Sequence, residues 1–218
     1  AIYTSFLLSV AITVFATVIH LVTALLAGFA LSIKKLPFRR LMMFLVLFTM
    51  LFSSGLIPYY LTLSSYRMVD TIWVLFLPGA VSPYSIFLTR NFISNIPDSL
   101  KEAAELDGAN PFWMFIRIIV PLCVPIIATL ALFCAVGKWN DWTTAAIFIK
   151  SKHELRPFVN VLQNVVVNPD PQNATGVEKG GIAFSNALIV MSIIPVTIMY
   201  LCTQRFLLKG LLVGSVKG

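Results

Sequence analysis

The 218-residue chain is 58% apolar and only 11% charged, with 16 basic against 9 acidic side chains and a net charge of +7. Its mean hydropathy is +0.89. Soluble domains average about 45–50% apolar and about 25% charged residues, so these values exclude a soluble globular domain, a disordered chain and a nucleic-acid-binding domain. The basic residues sit at the ends of apolar runs, which is the pattern of membrane topology rather than a DNA footprint. Cys123, Cys134 and Cys202 are odd in number and lie in apolar segments, so they are read as packing residues with no disulfide framework or metal cluster.

A membrane-crossing helix needs about 20 apolar residues. Five runs are candidates, at about 2–31, 41–63, 72–88, 118–136 and 182–201. The expected fold class is therefore all-α, a polytopic transmembrane helical bundle. Ala1 opens inside the first run, which is too long and lacks the basic start of a signal peptide. The loop Ser32 to Arg40 carries Lys34, Lys35, Arg39 and Arg40 without an acid, whereas Ser64 to Thr71 carries only Arg67 among its bases. By the positive-inside rule the first loop is cytoplasmic and the second external. Alternation then places about 90–117 inside, about 138–181 outside and the tail from Arg205 inside. Five spans leave Ala1 external, so a sixth, upstream span is expected to restore a cytoplasmic N-terminus.

Several runs carry polar or helix-breaking residues. In the first, Ser5, Ser9, Thr13, Thr17 and His20 share one helical face. That face fits either interhelical contact through small hydroxyl residues or a translocation surface. The third run contains Pro78-Gly79 and Ser82-Pro83, and the fifth contains Pro195. Proline removes a backbone donor, and a carbonyl freed inside a membrane needs a protein or water partner. These interruptions fit ordinary kinks or helices lining a polar pathway. In the outer segment, Leu155, Phe158, Val159, Leu162, Val165 and Val166 recur at helical spacing, predicting an amphipathic helix lying on the outer face. A turn-rich break follows at Asn168 to Gly176.

The third loop is too polar to span. Its stretch Asn95-Ile96-Pro97-Asp98-Ser99-Leu100-Lys101-Glu102-Ala103-Ala104-Glu105-Leu106-Asp107-Gly108 predicts a cytoplasmic helix of about ten residues. Pro97 and Asp98 suit its start and Gly108 its stop. Leu100, Ala103, Ala104 and Asp107 are expected on one face, with alanines that allow close approach by another surface.

Glu102-Ala103-Ala104, then Gly108 after three residues, Ile118 after nine more, and Val120-Pro121 after one resembles the EAA loop of ABC importer permeases. That pattern ends in Leu-Pro, and Val120 stands here in place of the leucine. Trp139-Asn140-Asp141, and the ending from Arg205-Phe206 through Lys209-Gly210 to Val216-Lys217-Gly218, look similar to the carbohydrate-importer branch of the maltose-permease type. The long outer segment with Pro169 to Gly176 looks like the subgroup linked to complex or acidic polysaccharide fragments.

The resemblance implies a type I importer permease fold with one transmembrane domain over residues 1–218, embedded in the lipid of the bacterial cytoplasmic (inner) membrane with a cytoplasmic C-terminus. It implies a pore shared with a second, related but non-identical permease chain, two ATP-binding cassette subunits, and an external solute-binding protein that delivers sugar. By that resemblance Glu102, Ala103, Ala104, Leu100 and Asp107 dock in a cleft of the ATPase, Gly108 permits the turn that leaves it, and Lys209 and Lys217 approach the ATPase pair. ATP and magnesium would belong to that partner. The chain itself has no GxxxxGK[ST] phosphate loop, no metal-ligand spacing and no nucleophile–base pair, so neither a cofactor nor catalysis is expected in it.

Sugar recognition calls for aromatic faces beside hydrogen-bonding groups. Tyr59, Tyr60, Trp73, Tyr84, Trp139, Asn140 and Asp141 are candidates near the outer half, with Tyr84 and Asn140 preferred. Trp73, Trp139 and Trp142 also fit an interfacial aromatic belt, and Asp141 a helix cap. Lys150, Lys152 and Arg156 form an external basic cluster, either a solvated face or an attractor of uronic-acid oligosaccharides or of an acidic binding protein. Two other functions compete with sugar import: an ABC permease for peptides, amino acids or ions, and a stand-alone secondary transporter or channel.

Overall fold

The computed structural model describes residues 2–52, 54–106, 108–166 and 177–215, the side chains at 101, 105, 177–183 and 207–215 excepted. Among the described residues there are helices and no strand. In chain order the helices are α1 (Ile2–Ser32), α2 (Arg39–Leu51), α3 (Leu56–Ser65), α4 (Trp73–Phe76), α5 (Pro83–Ser94), α6 (Asp98–Leu106), α7 (Pro111–Met114), α8 (Val120–Leu122), α9 (Val124–Trp139), α10 (Thr143–Phe148), α11 (Phe158–Val166) and α12 (Val177–Ser215). Helix α1 and the stretch Phe184–Phe206 of α12 are each long and apolar enough to cross a membrane.

Two of the runs read as single spans are divided. The run 41–63 becomes α2 and α3, separated where Phe52 turns extended. The run 72–88 becomes α4 and α5. Pro78 cannot donate a hydrogen bond, and Ser82, with Pro83 behind it, starts a new helix by accepting from Ser85 N–H. The run 118–136 belongs to a longer element, α7 to α9, that bends by 76°. Residues Phe115–Ile119 form a π turn in which Val120 N–H donates to Phe115 O, and Pro121 follows. A π turn and a proline are physical causes of a sharp bend. Helix α12 continues through Pro195.

The chain forms two compact units. One comprises Ala1–Thr17, Ser54–Pro78 and Leu132–Cys202. Its first cluster joins Ile12, Leu63, Val74, Leu75, Ala145, Phe148 and Ile149. Its second joins Trp139, Phe158 and Leu188, with Phe6 packed against them. Helix α11 is therefore part of this interior. Phe158 and Asn160 are fully buried, so one side of the helix packs against protein. Its amphipathic pattern reflects burial against protein. The break at 168–176 falls outside the described residues.

The other unit comprises Val18–Ser53, Gly79–Ala131 and Thr203–Gly218. Its core includes Ala24, Leu25, Ile93, Ile96, Ala104, Met114, Phe115, Ile119 and Leu130. Helices α1 and α5 touch closely at Gly28. A Cβ there would fall 2.7 Å from Thr89 Cγ2 and 3.1 Å from Arg90 N, so only glycine fits.

The polar face of α1 is used for packing. Ser5, Ser9, Thr13 and His20 are buried and Thr17 is half-buried. In the first unit, Ser9 Oγ accepts from Phe158 N–H at 2.7 Å. In the second, His20 Nε2 lies 2.9 Å from Ser85 Oγ, and Thr23 Oγ1 donates to Ala80 O at 2.9 Å. Leu7, Phe15, Val18, Val22 and Leu26 stay exposed, as a helix with lipid on one side requires.

Loop contacts fall into two sets. Lys34 and Asp98 form an ion pair at 2.7 Å between the first and third loops. Asp70 Oδ1 accepts from the N–H groups of Lys150 and Ser151 at 2.6 and 2.9 Å, between the second and fourth.

Candidate functional site

The third loop is built as helix, glycine, helix. Asn95 ends α5, Ile96 is buried, and α6 starts at Asp98, whose carboxylate lies in the first turn and meets Lys34. An acid there opposes the positive end of the helix. At the far end Ala109 N–H donates to Ala104 O at 3.0 Å, and Gly108 sits at φ +77°. This six-to-one bond with a left-handed residue is a Schellman stop. Gly108 has open space around its Cα, so the demand for glycine is conformational. Helix α7 follows, capped by Asn110 Oδ1, which accepts from Trp113 N–H at 2.7 Å. Gly108, Ala109, Asn110 and Trp113 line a shallow cavity of about 270 Å³.

The faces of α6 differ from expectation. Ala104 points into the core beside Ile93, Ile96, Met114 and Phe115. Glu102, Ala103 and Leu100 are exposed, and Leu106 is 89% exposed. The two alanines therefore do different jobs: Ala104 seats the helix on its own unit, while Ala103 lies on the open side with Glu102 and Leu106. Asp107 lies outside the described residues, as does Lys217, and the side chain of Lys209 is likewise not described.

The aromatic and polar candidates are not gathered into one cluster. Tyr59, Trp73, Asn140 and Asp141 belong to the first unit, and Tyr84 to the second. Tyr59 packs edge-on against Phe148 at 5.8 Å, and Tyr60 stacks on the same ring at 5.4 Å. Trp73 and Tyr84 are more than half exposed and Asn140 is exposed. Asp141 is a helix cap: Oδ1 accepts from Thr143 Oγ1 and Thr144 N–H, and Oδ2 accepts from Thr144 Oγ1. Trp139, read as a belt residue or sugar platform, is 2% exposed, lies edge-on to Phe6 at 5.6 Å and donates from Nε1 to Ser192 O at 3.0 Å. It is a core residue whose acceptor, Ser192 O, lies three residues before Pro195 in the continuous helix α12. The basic cluster also divides. Lys150 and Lys152 are both exposed, but Lys150 Nζ donates to Tyr60 Oη at 2.8 Å and lies 4.9 Å from the centre of that ring. This contact raises the Lys150 ammonium above its usual range.

The family model for the inner membrane component of binding-protein-dependent transport systems matches residues 2–208. The chain belongs to this family. It is accordingly a transport permease subunit of an ABC importer of the bacterial inner membrane, with the type I importer fold, and not an enzyme. It is 38% identical over 222 residues to the polygalacturonan/rhamnogalacturonan transport system permease protein YtcP of Bacillus subtilis, covering 100% of this chain and 78% of that one. It is 26% identical over 212 residues to the arabinooligosaccharides transport system permease protein AraQ of Halalkalibacterium halodurans, covering 96% and 72%. Its fold is similar to that of a chain in the crystal structure of a bacterial ABC transporter involved in the import of the acidic polysaccharide alginate. The TM-score is 0.79 at 32% identity, covering 92% of this chain and 75% of that chain.

One residue of this permease escaped sequence reading. Lys138, in the last turn of α9, donates from Nζ to Leu75 O at 3.2 Å and Pro78 O at 3.0 Å. These carbonyls lie where α4 gives out before Pro78. The available signal was a lysine at the end of a long apolar run, which also fits an ordinary interfacial residue.

Proposed function

We propose that this permease forms half of the translocation pore of an ATP-driven importer of oligosaccharides and couples to a cytoplasmic ATPase through α6 and Gly108. The carrying observation is the open face of Glu102, Ala103 and Leu106 on a helix that its own unit seats through Ala104 and stops at Gly108. A helix held at both ends with one face bare can be gripped by a partner. Closing of the ATPase pair then moves the α5 and α7 ends attached to it, and ATP shifts the pore between two conformations by differential contact.

The partners are a second, related permease chain, two ATPase subunits that hold ATP and magnesium, and an external binding protein. The first and third loops and the C-terminus face the cytoplasm. Support for a carbohydrate cargo comes from the relatives named for polygalacturonan, rhamnogalacturonan and arabinooligosaccharides. Tyr84 and Asn140, both exposed, remain the preferred sugar contacts, and Tyr59 and Trp73 are secondary candidates.

The test is uptake of labelled oligogalacturonides by proteoliposomes containing both permeases and the ATPases, with binding protein supplied outside. Uptake should require ATP inside and binding protein outside. Uptake without the ATPase would replace this function with a stand-alone transporter. A binding protein that takes only amino acids or ions would overturn the cargo.

A further inference from the structure

We propose that the corner between α1 and α2 binds an anionic phospholipid, with Lys35 and Arg40 at its headgroup and the bare surface of α2 along its acyl chains. The proposal takes from the function above only the cytoplasmic side of the first loop, which decides the leaflet that supplies the lipid.

Topology alone asks for basic residues in this loop. It does not ask for what surrounds them. Phe38 stands among them at φ +55°, a left-handed backbone that bulky residues rarely adopt, and is 76% exposed. A ring held there gains from an apolar covering. Helix α2 follows directly and buries no residue. Phe44, Phe48 and Phe52 are all exposed, with successive ring centres 6.1 and 4.3 Å apart. From Arg40 to Leu51 the helix rises about 16 Å, close to one leaflet's share of a hydrocarbon core of about 30 Å. Bases at the start, with a bare apolar surface of leaflet depth behind them, match a phospholipid in both order and length. An acidic protein surface would match the bases and leave the phenylalanines uncovered.

The positive charge is in excess by count. The second unit's acids are Asp98, Glu102, Glu105 and Asp107, against ten bases. Were all four acids to pair, six bases would remain. Within the loop, Lys34 pairs with Asp98, and Arg39 Nε donates to Leu31 O at 2.8 Å, closing the end of α1. Lys35 and Arg40 are exposed and are the two assigned to the headgroup. Bases just outside a spanning helix are drawn to anionic lipid, and an arginine can grip a phosphate through two parallel hydrogen bonds.

The experiment places the assembled importer in nanodiscs holding equal amounts of phosphatidylglycerol and phosphatidylcholine, each made photoactivatable in turn. Lipid cross-linked to the segment 33–52 is measured by mass spectrometry. In wild type phosphatidylglycerol should dominate, and less so as salt is raised. Lys35→Gln with Arg40→Gln should lower the ratio about thirtyfold, the scale of two bases at an anionic surface, while Lys35→Arg with Arg40→Lys should keep it. Arg117→Gln with Arg205→Gln removes the same charge from the same unit and should leave the ratio nearly unchanged. Equal labelling by both lipids in wild type, no change in the Lys35 and Arg40 variant, or an equal loss in the Arg117 and Arg205 variant overturns the site. A segment that neither lipid labels, or loss of the ATPase subunits from the Lys35 and Arg40 variant, also overturns it and gives this surface to a partner chain. Both leaflets of the disc carry the same mixture, so the result depends on neither uptake nor orientation. Failure of the oligosaccharide function would leave it standing.

Discussion

Helices α6 and α11 are each nine residues long, too short to persist alone in water, yet their surroundings differ. Helix α11 is absorbed by its unit. Phe158 is buried and packs its ring against Phe6, its N–H is taken by Ser9 Oγ, and Asn160 Nδ2 donates to Trp142 O at 3.0 Å. Helix α6 seats Ala104 in a core and is held otherwise at its ends, by Lys34 at the start and the Gly108 stop at the finish. Its open side retains Glu102, Ala103 and an almost fully exposed Leu106. A short helix whose apolar side is consumed by its own chain is scaffold. One that is fixed at its ends and bare along one side leaves that side open to a partner.

That contrast can be broken from either side. The largest stability effect is expected from Phe158→Ala, which empties a fully buried ring site and should cost about 3–5 kcal/mol. Thermal unfolding of the purified permease should show a lowered midpoint; an unchanged midpoint would mean that α11 is not part of the core. Next, Glu102→Ala combined with Gly108→Asp should abolish co-purification with the ATPase or uncouple ATP use from uptake. An aspartate at the left-handed position of Gly108 costs about 1–2 kcal/mol locally, so the permease should still insert and fold. Normal ATPase association and normal coupling in this double variant would remove α6 as the coupling element.

A smaller effect concerns the outer loops. The Asp70 carboxyl is held below its usual 3.8, first by the Ser151 N–H and further by the Lys150 N–H. The unfolded chain therefore binds a proton more readily than the folded one in the window below that value. The contribution is complete above about pH 5 and fades as pH falls through the lowered pKa. Stability measured from pH 5 to pH 3 should fall more steeply in wild type than in Asp70→Asn, and equal slopes would dismiss the loop clasp. The smallest effect is expected from Asp98→Asn. Both partners of its ion pair are more than half exposed, and such pairs contribute about 0–1 kcal/mol. Unfolding should barely move, and less still at high salt.

Much of this permease was legible in its residues. Pro97, Asp98 and Gly108 located the third-loop helix and its stop, because caps and stops depend on neighbours a few residues away. The shared face from Ser5 to His20 followed from helical periodicity, but its burial, one of two readings, did not. The division of 72–88 was signalled by Pro78-Gly79 and Ser82-Pro83, but not the partners of the freed carbonyls. The same apolar periodicity in α11 fits lipid or protein equally, so its burial was not legible. Trp139 carried the same ambiguity, since an indole suits both a membrane interface and a core with one acceptor.

Composition and local spacing alone determined that the chain lives in a membrane, where its polar loops fall, and which stretch resembles the EAA motif. Hydrophobicity and capping act over a turn or two of helix and need no knowledge of distant partners. The tertiary structure alone decided that Ala104 faces inward while Ala103 faces out, that Asp70 clasps Ser151, and that Lys138 reaches Leu75 and Pro78. Each of these depends on which surface another segment brings alongside, often sixty or more residues away.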